Sequence, residues 1–298
     1  MKLGRRRLYA DLLLLLVALL WGSAFVPQRI ATQHLGYFLF NGLRFLLGAI
    51  VLCPILWFRP RPAKGLVVWS AVAGGVLVGA AACQQAGLAN TTAGNAGFLT
   101  GLYVVLVPVV LLLGWRQRMA WRAWAAALLA AAGAYLLSAD AEFHLGYGDR
   151  LELIGAVLWA LHVVLVGRAA ARIDVFWFSI GQYLVAGALS TLLGLATEAA
   201  TLPGLTVCWW AVAYTGIISV AAGYTLQAVG QRYAPAADAA VILSMEAVFA
   251  AVFGNLLLAE SLAGRQYVGC ALILAAVVFV QINPTAPAVP LDANPPLS

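Results

Sequence analysis

Long apolar runs alternate with short polar breaks along this chain, and that alternation predicts its architecture. The runs stand at 11–31, 36–58, 66–89, 93–114, 121–138, 150–171, 175–197, 207–230, 236–258 and 265–282. Each is about 17–25 residues long, enough to cross roughly 30 Å of hydrocarbon as an α-helix. The breaks carry charge or turn chemistry, as in Arg59-Pro60-Arg61-Pro62, Arg116-Gln117-Arg118 and Tyr233-Ala234-Pro235. The first run follows a basic leader with Lys2, Arg5, Arg6 and Arg7, as a secretory signal would. It continues through Trp21 and Phe25 to Ile30 without a small-residue cleavage site, which marks a spanning helix instead. The expectation is an all-α membrane protein of ten transmembrane helices, ending in a Pro-rich disordered tail over 283–298.

Composition agrees. Sixty-four per cent of the 298 residues are hydrophobic and 9% charged, with a mean hydropathy of +0.95. A soluble domain carries about 25% charged residues, so this chain lacks the means to cover itself with a solvated surface. The net charge of +6 is therefore no footprint of a nucleic-acid partner, and its distribution matters more than its size. With a cytoplasmic N-terminus, thirteen Lys and Arg fall on the inner side and three (Arg29, Arg150, Arg265) on the outer. That asymmetry predicts cytoplasmic termini and an exterior loop over 139–149. Cys53, Cys83, Cys208 and Cys270 are scattered singly, which predicts neither a disulfide framework nor a metal site. No phosphate loop, nucleophile–base pair or zinc motif occurs, so no enzyme and no cofactor is expected.

The chain carries one design twice. Gln84–Pro108 and Tyr224–Phe253 each read as a Gln-bearing helix, a turn and a small-residue helix. Aligned without gaps from Asn95 and Asp238, they match at Ala96/Ala239, Val109/Val252, Arg122/Arg265 and Leu129/Leu272. A shift of 138 likewise places Trp21 on Trp159 and Phe38 on Phe176. The predicted domains are repeats of five helices, 11–138 and 150–282. An odd helix number makes the second repeat enter the membrane from the opposite side, giving an inverted-topology pair.

Segments LLWGSAFVPQ (19–28), FNGLRFLLGA (40–49), TTAGNAGFLTGLYVVLVP (91–108), WALHVVLVGR (159–168) and ILSMEAVFAAVF (242–253) with LLLAESL (256–262) resemble the drug/metabolite transporter superfamily, in its bacterial EamA-type branch. The resemblance covers Leu12 to Gln281. It implies a carrier of two inverted five-helix repeats in the bacterial cytoplasmic membrane, often exporting amino acids or other small metabolites. It also implies that helices one to four and six to nine enclose a central cavity, with five and ten at the periphery. Two positions depart from the family pattern. Ala247 stands where Pro is usual, which removes the usual cause of a kink there, and Gln117 replaces an acidic residue that Glu260 retains in the second repeat.

Ionisable residues deep in a membrane are costly and mark function by default. Arg44 lies about eight residues, or roughly 12 Å, inside the second helix, and Glu246 about ten residues, or roughly 15 Å, inside the ninth. Both fall near the midplane, a depth match that permits an ion pair. Their repeat counterparts are Gln182 and Tyr103. Two roles stay open for the charges: a structural pair, or contact with substrate or proton. Trp21, Phe25 and Gln28 share one face of the first helix, Trp159 and His162 form the matching stripe in the sixth, and Tyr224 and Gln227 share a face in the eighth. Gln84, Gln85 and Asn95 complete the candidate substrate-binding set. The expected partners are a small-molecule substrate and the lipid bilayer, with a homodimer left open. The expected function is secondary transport by alternating access, most simply export of amino acids or similar amphiphiles. A non-transporting scaffold or an intramembrane enzyme is the other reading.

Overall fold

The computed structural model describes residues 2–91, 93–138, 146–199, 202–258 and 263–282, with backbone alone at 2–5, 93–95, 138, 202 and 258. All regular structure among them is helical. Ten membrane helices follow in order: α1 (Lys2–Ala31), α2 (Tyr37–Leu52, continued by a 3₁₀ turn over Cys53–Phe58), α3 (Leu66–Leu88), α4 (Ala93–Gly101 and Tyr103–Trp115) and α5 (Trp121–Ser138). The second set is α6 (Tyr147–Ala170), α7 (Val175–Thr197), α8 (Leu202–Tyr214, Thr215–Tyr224 and Thr225–Gln231), α9 (Ala236–Leu243 and Met245–Leu258) and α10 (Gly264–Ile282). Nine are long and apolar enough to span a bilayer, and α5 is shorter, its apolar part being Trp121–Leu137. The expected tail over 283–298 and Glu260 lie outside the described residues.

The first helix begins nine residues earlier than the apolar run. Arg7 explains why: its guanidinium donates to Asp11 Oδ1 at 2.8 Å and to Asp238 Oδ2 at 2.8 Å, anchoring the leader to α1 and to the start of α9. The change to 3₁₀ geometry after Leu52 coincides with Pro54, which has no N–H to donate.

Packing follows the two-fold relation between the repeats. α2 packs on α7 and α5 on α10, while α3 on α6 has its counterpart in α8 on α1, and α4 on α6 in α9 on α1. Where helices touch most closely the residue is glycine. A Cβ on Gly133 would lie 2.7 Å from the Gly269 carbonyl oxygen, and one on Gly269 would lie 2.5 Å from that of Gly133. Gly97, in the small-residue part of α4, faces Ala247 and Ala250 of α9, whereas a Cβ on Gly101 would meet nothing within 4 Å. Apolar side chains such as Val67, Leu113, Leu192 and Leu256 are left on the outside of the bundle, the surface a hydrocarbon solvent covers.

Cross-bundle contacts assign the two ends. At one end Arg59 at the end of α2 pairs with Asp174, the N-cap of α7. Arg168 lies over Trp115 at 4.5 Å and Arg172 over Trp69 at 5.4 Å. At the other end Glu198, just past α7, accepts from the Phe38 and Leu39 amides at 2.9 Å each and so caps α2, whose own N-cap Gly36 has no side chain to do it. There too Gln266 donates to the Leu137 carbonyl at 2.7 Å.

Three helices are irregular where they adjoin the bundle centre. α4 breaks at Leu102 and α9 at Ser244, positions one residue out of register under the gap-free repeat alignment. The expected cause of a kink in α9 is missing, since Ala247 is no proline. The break comes instead two residues before Glu246, where Ser244 Oγ donates to the Val241 carbonyl at 2.6 Å and draws the backbone out of line. In α8 the segment Thr215–Tyr224 is a π-helix, a form that occurs mostly as short bulges at functional sites.

Candidate functional site

The broken helices and their neighbours surround a small central cavity. From α1 come Trp21, Phe25 and Gln28, spaced i, i+4, i+7. α2 supplies Arg44, α3 Gln84, α4 Thr100 and Tyr103, and α6 Trp159 and Val163. α8 supplies Ser219, Tyr224 and Gln227, and α9 supplies Glu246. The helices around the cavity are thus α1–α4, α6, α8 and α9. α7 stands behind them instead of lining the cavity, and α5 and α10 stay at the periphery.

Tyr224 is the hub of the aromatic wall. Its ring lies 4.7 Å from that of Trp21 and stacks on Trp159 at 6.0 Å and 18°. Phe45 and Tyr183 approach it from behind at 6.1 and 6.3 Å. The π-helix helps to seat this wall: Trp21 Nε1 donates to the Ser219 carbonyl at 3.2 Å. Gly223 makes room for the same indole, since a Cβ there would lie 2.6 Å from Nε1.

Two opposite charges face this wall without pairing. Arg44 is 1% exposed; its Nε donates to Asn41 Oδ1 at 2.9 Å, and its guanidinium lies 4.9 Å from the Phe45 ring and 5.5 Å from that of Phe40. Its Nη2 has no hydrogen-bond partner among the described residues, and neither has Glu246 Oε1. The ion pair that the depth match permits is not formed among the described residues, because Asn41 and the two rings hold the guanidinium on its own side. Trp159 Nε1, Gln28 Oε1 and both amide atoms of Gln227 are also buried without partners among the described residues, and the Tyr103 hydroxyl stands beside Glu246. Buried polar groups are normally satisfied, so such a concentration around one cavity marks a surface built to meet a polar ligand.

Three described candidate positions, Gln85, His162 and Gln182, do not line the cavity. Gln85 Nε2 donates to the Gln28 carbonyl at 2.9 Å and ties α3 to α1. His162 Nε2 and Gln182 Oε1 share a hydrogen bond of 2.9 Å between α6 and α7, behind the aromatic wall. The side chain of Asn95 lies outside the described residues. Conversely, Thr100, Val163 and Ser219 line the cavity but were not singled out, because small or apolar residues carry no signal in an apolar run. Glu152 was missed for another reason. It stands two residues inside the expected start of the sixth span, next to an acidic loop, and reads there as an end residue. Glu152 does not line the cavity, but its spacing of seven from Trp159 puts it on the same side of α6, two turns away, the signal by which it could have been found.

Comparison with known proteins places this geometry in context. The model of the EamA-like transporter family matches twice, over residues 8–139 and 146–282. An uncharacterized transporter of Archaeoglobus fulgidus is 34% identical over 289 residues, 94% of this chain and 88% of its own length. The uncharacterized transporter YwfM of Bacillus subtilis is 23% identical, over 92% of this chain and 94% of its own. A protein of known crystal structure superposes with a TM-score of 0.76 at 23% identity, over 92% of this chain and 97% of its own, a likeness of fold.

Proposed function

Since the chain belongs to the EamA-like transporter family, we propose that it exports zwitterionic amphiphiles, hydrophobic amino acids foremost, by alternating access around the central cavity. One observation carries the reading: Arg44 and Glu246 face a single aromatic cavity, each with a polar atom that no group among the described residues satisfies. A carboxylate suits the guanidinium, an ammonium suits the carboxylate, and the faces of Trp21, Trp159 and Tyr224 offer area to an apolar side chain. The Arg7–Asp11–Asp238 cluster ties α1 to α9 at the basic end. Both helices line the cavity, so opening that end requires those bonds to break.

Proteoliposomes without added ATP test the proposal with a panel of radiolabelled amino acids, amines and a sugar phosphate. Exchange of leucine-like or aromatic amino acids is expected. Preferential transport of the sugar phosphate would sink the reading, since one arginine is too little to neutralise a multiply anionic solute at the midplane.

Orientation in the bacterial cytoplasmic membrane is part of the proposal, with both termini inside. In a variant freed of its native thiols, a cysteine replacing Arg118 should resist an impermeant reagent in intact cells, and one replacing Tyr147 should react. Both positions are exposed on the protein. The reverse pattern would turn the protein over.

A further inference from the structure

We propose that Glu152 is a proton-binding site whose charge state is communicated to the cavity through Thr100 and Gln84. The side chain is wholly buried in α6, one turn beyond Asp149. One carboxyl oxygen, Oε2, accepts from Thr100 Oγ1 at 2.9 Å, and Oε1 has no partner among the described residues. Thr100 Oγ1 accepts in turn from Gln84 Nε2 at 3.3 Å. Thr100 and Gln84 both line the cavity, so the chain of donors starts at its wall and ends on a carboxyl group outside it.

A single neutral hydrogen bond does not compensate a carboxylate removed from water. The described residues around it supply nothing more. Among them, the ionisable groups that interact with Glu152 are Asp149 on its own helix, Cys83 on α3 and Glu246 on α9, all of them acidic. From α4 it meets the Thr100 hydroxyl, and the described parts of α7 and α8, also packed on α6, bring no charged group to it. The resting form is therefore the neutral acid, with its proton on Oε1. Gly87 gives this group its room, for a Cβ there would lie 2.6 Å from Oε1.

The route for the proton is short. Asp149 stands one helical turn, about 4.5 Å of rise, nearer the start of α6, beside the exposed residues Gly146 and Tyr147. It is itself held by the Thr91 hydroxyl at 2.6 Å and the Gly146 amide at 2.9 Å. Ionisation breaks the Oε1–H bond of Glu152 and passes the proton to water entering from that end. The carboxylate left behind then fixes the Thr100 hydroxyl as its donor, and Gln84 must keep its amide on Thr100. In the neutral acid Oε2 is a carbonyl oxygen and a weaker acceptor, so the Thr100 hydroxyl is held less firmly and Gln84 turns toward a ligand at lower cost. Proton and solute thus compete for the orientation of one amide, which couples their movements.

The coupling rests on the transport reading above, whereas the proton site does not, and two measurements separate them. Infrared spectroscopy of the purified full chain in lipid vesicles should show a buried protonated-carboxyl band that is lost in Glu152→Gln and kept in Glu246→Gln. Thr100→Val, which removes the donor but keeps the volume, should shift that band. It also serves as the readout if Glu152→Gln fails to fold. A band unmoved by both Glu152→Gln and Thr100→Val overturns the proton site. In proteoliposomes, Glu152→Gln should retain amino-acid exchange at equal pH and lose the accumulation that a pH gradient drives in the parent. Gradient-driven accumulation undiminished in Glu152→Gln overturns the coupling. Absence of exchange in the parent chain rejects the amino-acid reading instead, and leaves the infrared result to decide on the proton site.

Discussion

Arg44→Gln and Glu246→Gln are each expected to raise the half-saturating concentration of a transported amino acid by roughly 10–100-fold. The figure follows from the ~1.5–3 kcal/mol net contribution of a hydrogen bond to a charged group. The two losses should add in the double variant, because the side chains make no ion pair with each other among the described residues. Stability should behave differently. Each side chain is buried with an unsatisfied polar atom, so a neutral replacement adds no desolvation cost and removes the one that a buried charge would carry. Glu246→Gln should unfold at the same temperature as the parent or higher. Arg44→Gln deprives Asn41 Oδ1 of its donor and should lose about 1 kcal/mol. A structural ion pair would give the opposite signature: two unstable single variants and a double variant that recovers. Thermal unfolding together with transport therefore distinguishes a ligand-facing pair of charges from a mutual one. Recovery in the double variant would remove these two residues from the substrate site.

Gly133→Val and Gly269→Val should be the most destabilising single changes at a distance from the cavity. At this crossing the obstacle to a Cβ is a backbone carbonyl of the opposite helix, at 2.7 and 2.5 Å, and backbone yields less readily than a side chain. α5 and α10 must then move apart along their whole contact. Overpacking of this kind costs about 1–3 kcal/mol, and more where backbone is the obstacle. Transport per folded molecule should be retained, since neither helix lines the cavity. Gly75→Val is the control: Gly75 is exposed and has nothing within 4 Å of its Cβ position, so its replacement should leave the unfolding temperature unchanged. Equal losses at all three positions would mean that the cost comes from valine in a helix and not from the crossing.

These expectations differ in how far they could be drawn from the chain alone. Ten apolar runs became ten helices because the hydrocarbon thickness sets a length that no other soluble or membrane element shares. The spacing of Trp21, Phe25 and Gln28 put them on one face, and one face they occupy, because i, i+4, i+7 is a property of a single helix. The repeat is legible for the same kind of reason. It is a relation between residues along the chain, and the family model matches the two halves separately.

What lies between helices could not be read in this way. Gln84 and Gln85 are neighbours of the same chemistry, yet one faces the cavity and the other bonds the Gln28 carbonyl. The rotation of α3 against α1 decides between them, and small residues that carry no hydropathy signal set that rotation. His162 and Gln182 satisfy each other across α6 and α7, a pairing that their separation of twenty residues does not announce. The breaks at Leu102 and Ser244 need no proline, and they turn Tyr103 and Glu246 inward where a straight helix would leave their direction open. The length, number and faces of the helices follow from the sequence, because backbone hydrogen bonding and bilayer thickness act on each segment alone. Which buried polar atoms find partners, and which are left facing one cavity, depends on groups from several segments meeting, and only the packed bundle decides that.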